Sequence, residues 1–108
     1  MAEKQIPQSV KKIINEYIQV LKADRLPIQR VFLYGSYAKG KQHQWSDVDL
    51  CILSPKFKNP WQATQYLWSK RIFRRKTTIE PIGMTLKDFR RPSSLTQEIK
   101  RTGIKIKV

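Results

Sequence analysis

Three carboxylates are the side chains of this chain best suited to chemistry. Asp47 and Asp49 are one residue apart at the start of a predicted strand, and Glu80 lies within a later predicted strand. Since side chains alternate along a strand, Asp47 and Asp49 are expected on one face, about 6.6 Å apart along the strand. Carboxylates at this separation can hold Mg²⁺, and a pair of such ions stabilises phosphoryl or nucleotidyl transfer. Glu80 adds a third carboxylate if its strand lies beside the first.

A Gly-Ser pair precedes these acids. Gly35 and Ser36 stand where a strand predicted over residues 28–34 gives way to a short helix. Backbone N–H groups and the Ser36 hydroxyl can hold a phosphate there, and Gly35 lets the backbone come close to it. Lys39 and Lys41 add positive charge. A phosphate site and a metal site would then face each other across one pocket.

The spacing of the two motifs resembles that of a known family. Ten residues, 37–46, separate Gly35-Ser36 from Asp47-Val48-Asp49, and the flanking stretches read VFLYGSYAKG and SDVDL. This pattern closely resembles the minimal nucleotidyltransferases (MNT) of the DNA polymerase beta superfamily, small domains often encoded beside a helical HEPN toxin for which they serve as antitoxin. The resemblance covers most of the chain, and its specific part lies between residues 31 and 53.

The resemblance implies an activity and a set of roles. ATP would be the substrate, held at its triphosphate by Gly35, Ser36 and Lys39. Two Mg²⁺ ions would be the cofactors, held by Asp47 and Asp49 with Glu80 as the third acidic residue. The family often has arginine at the position of Lys39, which would provide bidentate geometry. The reaction implied is transfer of AMP to a hydroxyl, in the toxin–antitoxin members a tyrosine of the HEPN partner, whose RNase function is thereby inactivated.

The elements that must position these residues follow from periodicity and turn signals. Apolar residues at i, i+3, i+4 and i+7 from Val10 predict the first helix, and a strictly alternating tail predicts an edge strand guarded by lysines. The sequence therefore predicts the α+β class, a nucleotidyltransferase fold with helices packed on a small mixed sheet. At 108 residues, positions 1–108 are expected to form a single domain. The predicted order is helix 8–23, strand 28–34, helix 36–39, strand 47–53, helix 61–73, strand 77–82, a helix with a Ser94–Gln97 capping box that ends at Gly103, and strand 104–108.

Charge and composition bound the remaining function classes. There are 22 Lys plus Arg against 8 Asp plus Glu, a net charge of +14, which attracts nucleic acid, nucleotide triphosphate or an acidic protein. Between Leu50 and Ile79 there are seven Lys or Arg and no acid. A hydrophobic content of 40% excludes a disordered tail. The single Cys51, and the lack of a secretory signal or a membrane-length apolar run, predict a cytoplasmic protein that does not bind membranes.

Two other functions stay open. One is a catalytically inactive antitoxin that neutralises its partner by occlusion, and the other is an RNA-binding accessory module that uses the basic residues 70–76. Tyr37 and Trp45 flank the expected pocket and are candidates for contact with adenine. His43 is interpreted as a surface residue and Cys51 as a small buried one. The aromatic residues of the 61–73 helix, namely Trp61, Tyr66 and Trp68, are interpreted as core or helix packing.

Overall fold

A four-stranded mixed sheet with helices on both faces organises the part of the chain that the computed structural model describes, residues 6–40, 47–72 and 77–108. Within these ranges no helix has both the length and the apolar character needed to cross a bilayer. The elements in chain order are α1 (Gln8–Ala23), β1 (Arg30–Tyr34), α2 (Ser36–Lys39), β2 (Val48–Leu53), α3 (Pro60–Ser69), β3 (Ile79–Met84), α4 (Leu86–Arg90), α5 (Ser94–Thr102) and β4 (Ile104–Ile106).

The sheet has the strand order β3-β2-β1-β4. β1 is antiparallel to both of its neighbours, and β2 is parallel to β3. The parallel pair requires a crossover, which α3 provides. This arrangement confirms the predicted α+β class and the mixed sheet.

Two hydrophobic layers cover the two faces of the sheet. On one face, the apolar stripe of α1 and the buried residues of α3 pack against alternate residues of β1 and β2, including Leu33 and Leu50. On the other face, Phe89 of α4 and Ile99 of α5 pack against Cys51 and the other residues of that face. Cys51 is buried, as predicted. The helices α4 and α5 therefore lie on the face to which the odd-numbered residues of β2 point.

The buried hydroxyl of Tyr17 ties α1 to α3. It donates a hydrogen bond of 2.6 Å to the carbonyl of Leu67, 50 residues away in sequence, and burial raises its pKa. Replacement of Tyr17 by Phe keeps the ring and leaves the Leu67 carbonyl without this donor. We expect a loss of about 1–2 kcal/mol in the free energy of unfolding, measured as a lower urea midpoint with an unchanged m-value. Equal midpoints for the two proteins would contradict this role.

Several predicted boundaries were wrong by a few residues. α3 ends at Ser69 instead of residue 73, because the Lys70 N–H turns back to the Leu67 carbonyl and closes the helix. β3 begins at Ile79 instead of Thr77 and continues through Pro81. A proline is tolerated there because β3 is an edge strand.

The predicted cap of α5 was wrong by one residue, and α4 was missed. The N-cap of α5 is Ser93, whose side chain accepts from the Thr96 N–H in a reciprocal capping box. α4 begins after Thr85, whose hydroxyl accepts from the Asp88 N–H at 3.1 Å. The Thr-x-x-Asp pattern at residues 85–88 was the available signal for this helix.

Candidate active site

The predicted acidic residues lie together at one end of the strands of the sheet. β1 is antiparallel to β2 and β2 is parallel to β3, so the end of β1 meets the starts of β2 and β3. The register pairs Asp49 with Tyr34 on one side and with Glu80 on the other. Residues in register on adjacent strands share a face. The strand of Glu80 therefore lies beside that of Asp49, which is the condition under which Glu80 can add a third carboxylate to the pair.

Asp47 lies just before β2 and is exposed, whereas Asp49 is half-buried. The Val48 between them is fully buried on the opposite face, as the alternation predicts. Its N–H donates to the Thr78 carbonyl at 2.9 Å, which fixes the start of β2 against the chain leading into β3. Asp47 remains close enough for its charge to act on Asp49.

A glycine is required at position 35, at this end of the strands, for two independent reasons. Its φ is +76°, in the region that side chains rarely adopt. A Cβ built on Gly35 would also overlap Oδ2 of Asp49. The sequence predicts that Gly35 lets the backbone come close to another group. Within the protein itself, that group is the Asp49 carboxylate.

Ser36 begins the short helix α2, which ends at Gly40 with φ +71°. Its start has no side-chain cap, and the first N–H groups of a helix have no partner within it. The Lys39 N–H donates to the Gly35 carbonyl at 3.1 Å and holds this turn closed. The start of α2, with its first N–H groups and the Ser36 hydroxyl, therefore lies directly after the residue that contacts Asp49.

Glu98 of α5 is a site residue that the sequence analysis missed. Its Oε1 accepts a hydrogen bond of 3.2 Å from the Lys39 Nζ, across 59 residues of sequence. The side chains of this ion pair are 36% and 33% exposed. Helical periodicity places Glu98 on α5 but gives no signal that α5 packs beside α2.

Burial and like charge act together on Asp49. They raise the pKa of its carboxyl to about 6, first through burial and then through the charges of Glu80, Asp47 and Glu98. Burial and the Asp49 charge also raise the pKa of Tyr34. A clustered negative charge of this kind is relieved when a divalent cation binds.

The oxygen donors suit Mg²⁺, which prefers carboxylates. The structure brings Asp49 and Glu80 to neighbouring register positions. Within residues 6–40, 47–72 and 77–108, however, no three His, Cys, Asp or Glu side chains converge on a point where they could hold one ion. A metal shared by Asp47, Asp49 and Glu80 would therefore require side-chain rotation.

The raised pKa of Asp49 predicts that, without metal, the native chain and the Asp49→Asn variant differ in stability by an amount that depends on pH. The folded chain holds this proton up to about pH 6, whereas the unfolded chain releases it near the ordinary value of 3.8. The Asp49 charge therefore destabilises the fold above about pH 6, and this cost fades as pH falls to about 4. In EDTA, Asp49→Asn is expected to raise the urea midpoint at pH 7.5 and to leave it unchanged at pH 4. Glu80→Gln, which removes one of the repelling charges, is expected to shrink that difference; a pH-independent difference would contradict the account.

Some predicted residues lie elsewhere. Tyr37, one of the two candidates for contact with adenine, is buried in the core, which leaves little of its ring for contact with a base. Lys41, His43 and Trp45 fall outside the residues that the structure describes. Two concave surfaces, one between α1 and β4 and one beside Lys87 and Pro55, both lie away from the carboxylates. The site is thus defined by its acidic residues and its glycine, not by the concavity of the surface.

Comparison with known proteins agrees with this fold. The nucleotidyltransferase-domain family matches residues 10–105. The protein adenylyltransferase MntA of Shewanella oneidensis is 38% identical over 40 residues, which are 37% of this chain and 29% of that protein. A toxin–antitoxin structure with AMP-PNP has a TM-score of 0.55 at 24% identity and covers 84% of this chain and 69% of that chain. A variant of the MntA–HpeT toxin–antitoxin has a TM-score of 0.55 at 23% identity, with 87% and 71% covered.

Proposed function

Because this chain belongs to the nucleotidyltransferase-domain family, we propose that it transfers AMP from ATP, with Mg²⁺, to a hydroxyl of a toxin partner and so acts as an antitoxin. The observation that carries the proposal is the register that places Asp49 beside Glu80 and directly against Gly35. This contact supports a single site built from the Asp-x-Asp and Gly-Ser motifs. The MntA adenylyltransferase and the toxin–antitoxin structures support the reaction and the type of partner by similarity.

The acidic residues would hold the metal. Asp47, Asp49 and Glu80 are the proposed Mg²⁺ ligands, and Mg²⁺ would supply positive charge against the phosphate oxygens of ATP. Glu80 is half-buried beside Asp49. In addition to binding metal, its carboxylate would orient the attacking hydroxyl and accept its proton.

The Gly-Ser turn would hold the triphosphate. The first N–H groups of α2 and the Ser36 hydroxyl donate to phosphate oxygens, and Lys39 adds a charge. In the reaction the acceptor oxygen bonds to the α-phosphorus and its proton passes to Glu80. The bond from the α-phosphorus to the bridging oxygen breaks, and pyrophosphate leaves on the side of Gly35 and Ser36.

Glu98 opposes ATP binding in this scheme. It holds Lys39 in an ion pair and places a negative charge near the incoming triphosphate. Glu98→Gln removes both effects, so ATP is expected to bind more tightly. Because the pair is one-third exposed, the gain is limited to about two- to fivefold. Calorimetric titration with Mg²⁺ and a non-hydrolysable ATP analogue measures it, with Lys39→Met expected to weaken binding; unchanged or weaker binding in Glu98→Gln would contradict this role.

The partner proposed is a HEPN toxin, with a tyrosine as the acceptor. This identity comes from the family resemblance, and the toxin–antitoxin neighbours support the general type of partner. The alternative is neutralisation by occlusion, without chemistry. It is distinguished by the requirement for ATP and for the acidic residues.

A neutralisation assay separates the two functions. The chain and the product of the adjacent gene are co-expressed, and cell growth is compared between the native chain and the Asp47→Asn, Asp49→Asn double variant. Growth rescue by the native chain alone is expected. Full rescue by the double variant, with equal protein levels, would establish occlusion instead.

A further inference from the structure

We infer that the exposed face of α3 with Trp61 and Trp68, together with Arg71 just beyond the end of the helix, is the surface on which the toxin partner docks, and that the partner presents an acidic surface with an apolar centre. The inference rests on the proposed function for the identity of the partner. It adds the place of contact and the chemistry of the contacting surface.

The two tryptophans form one face of the helix. Trp61 is 69% exposed and Trp68 is 40% exposed, which corrects the interpretation of Trp61 as core or helix packing. Trp61 and Trp68 are seven residues apart, which is almost two helical turns. Both side chains therefore leave the helix on the same side, about 10 Å apart along the axis. Gln65 between them is also exposed. Tryptophan and arginine are the residue types most enriched among the energetically dominant residues of protein interfaces.

Trp68 is held in a fixed position before any partner binds. Its indole N–H donates to the Pro81 carbonyl at 3.0 Å. The Arg71 guanidinium lies over its ring, 3.9 Å from the centroid. A side chain that is already ordered loses little conformational entropy on association. The two contacts therefore make Trp68 a preorganised anchor.

The position of this face suits a partner that must reach the active site. Trp68 lies against the Pro81 carbonyl of the edge strand β3. The preceding residue, Glu80, points to the opposite face of the sheet, so a partner docked on α3 would reach the carboxylates around the free edge of β3. Pro81 has no N–H, so an added strand would lack a donor at that point. A partner is therefore expected to contact the helix face beside β3 rather than to extend the sheet there.

Charge selects the chemistry of the partner. Arg71 places a positive charge over the Trp68 ring, and the sequence between Leu50 and Ile79, which includes α3, holds seven Lys or Arg and no acid. A second copy of this chain would bring another net charge of +14 to the contact and be repelled. An acidic protein surface is attracted, and apolar contacts with the tryptophans distinguish it from a bare polyanion.

The test measures binding and transfer separately. Binding of the purified product of the adjacent gene is measured for the native chain, Trp61→Ala and Leu95→Ala. Leu95 is a matched control, an exposed apolar residue on α5 at 38% exposure. Trp61→Ala is expected to weaken binding by about 30-fold or more, and Leu95→Ala by no more than about twofold. Unchanged melting temperatures would show that Trp61→Ala leaves the fold intact.

The possible outcomes distinguish this inference from the proposed function. A complex that forms through α3 without any AMP transfer would support the docking face and refute the chemistry. Transfer with native-like binding by Trp61→Ala would overturn the docking face and leave the chemistry standing. In the expected case the partner concentration at half-maximal transfer rises about 30-fold, and the maximal rate is unchanged.

Binding of a different molecule to the α3 face would give different results in these measurements. If Trp61→Ala leaves partner binding unchanged but abolishes binding of a polyuridine oligonucleotide, α3 is a nucleic-acid surface and the inference is overturned. A concentration-dependent dimer of the native chain that Trp61→Ala dissociates would assign the face to a second copy and also overturn it. If the native chain forms no complex with the adjacent gene product, the inference is also overturned.

Discussion

Replacement of Asp49 by Asn is expected to reduce AMP transfer on the order of a thousandfold. Asp49 is the central member of the acidic group, between Tyr34 and Glu80 in register and against Gly35. The amide keeps the size of the side chain and removes the charge that would hold Mg²⁺. The measurement is the initial rate of label transfer at saturating ATP and partner.

Two controls make the result specific to the site. Asp88→Asn removes a half-buried acid of α4, which follows the opposite end of β3, and is expected to keep the native rate within about twofold. The Asp49→Asn protein should also be at least as stable as the native chain at pH 7.5, because the Asp49 charge destabilises the fold there. An Asp49→Asn enzyme that retains more than about a tenth of the native rate would remove Asp49 from the proposed mechanism.

Replacement of Gly35 by Ala is expected to cost both activity and stability. The new methyl group would occupy the space of the Asp49 Oδ2, and the backbone would stay at a φ of +76° that alanine disfavours. Displacement of Asp49 should lower the transfer rate by about a hundredfold or more. Backbone strain should lower the free energy of unfolding by about 1–3 kcal/mol.

Gly40→Ala is the matched control for the glycine. Gly40 has a similar φ of +71°, but a Cβ there meets nothing within 4 Å. It is expected to show a stability loss of about 1 kcal/mol from strain alone, with a transfer rate close to native. Equal loss of activity in the two variants would show that strain in α2, and not contact with Asp49, explains the Gly35 effect.

Much of the fold follows from local sequence signals. The apolar spacing of α1 predicts its bounds at residues 8 and 23, and β1 and β2 are recognised as short apolar runs. The alternation around Val48 correctly separates the acidic face of β2 from its buried face. These features depend on neighbours within one or two turns, which is why a single sequence contains them.

The contacts that the sequence did not predict link distant segments. The pairing of Lys39 with Glu98 depends on how α5 packs across β1, and the burial of Tyr37 depends on how α2 packs into the core beside β1. Local periodicity contains neither relation. The exposure of Trp61 was misjudged for a similar reason, since aromatic residues at helical spacing usually face a core and only the packing of α3 shows which side is covered.

Label transfer from ATP tests the central proposal most directly. The native chain and the purified product of the adjacent gene are incubated with Mg²⁺ and ATP labelled at either the α- or the γ-phosphate. The account predicts that the partner becomes labelled from the α-phosphate only, that EDTA abolishes the labelling, and that the Asp47→Asn, Asp49→Asn protein transfers none. Labelling from the γ-phosphate, or equal labelling by the double variant, would contradict nucleotidyl transfer at this site.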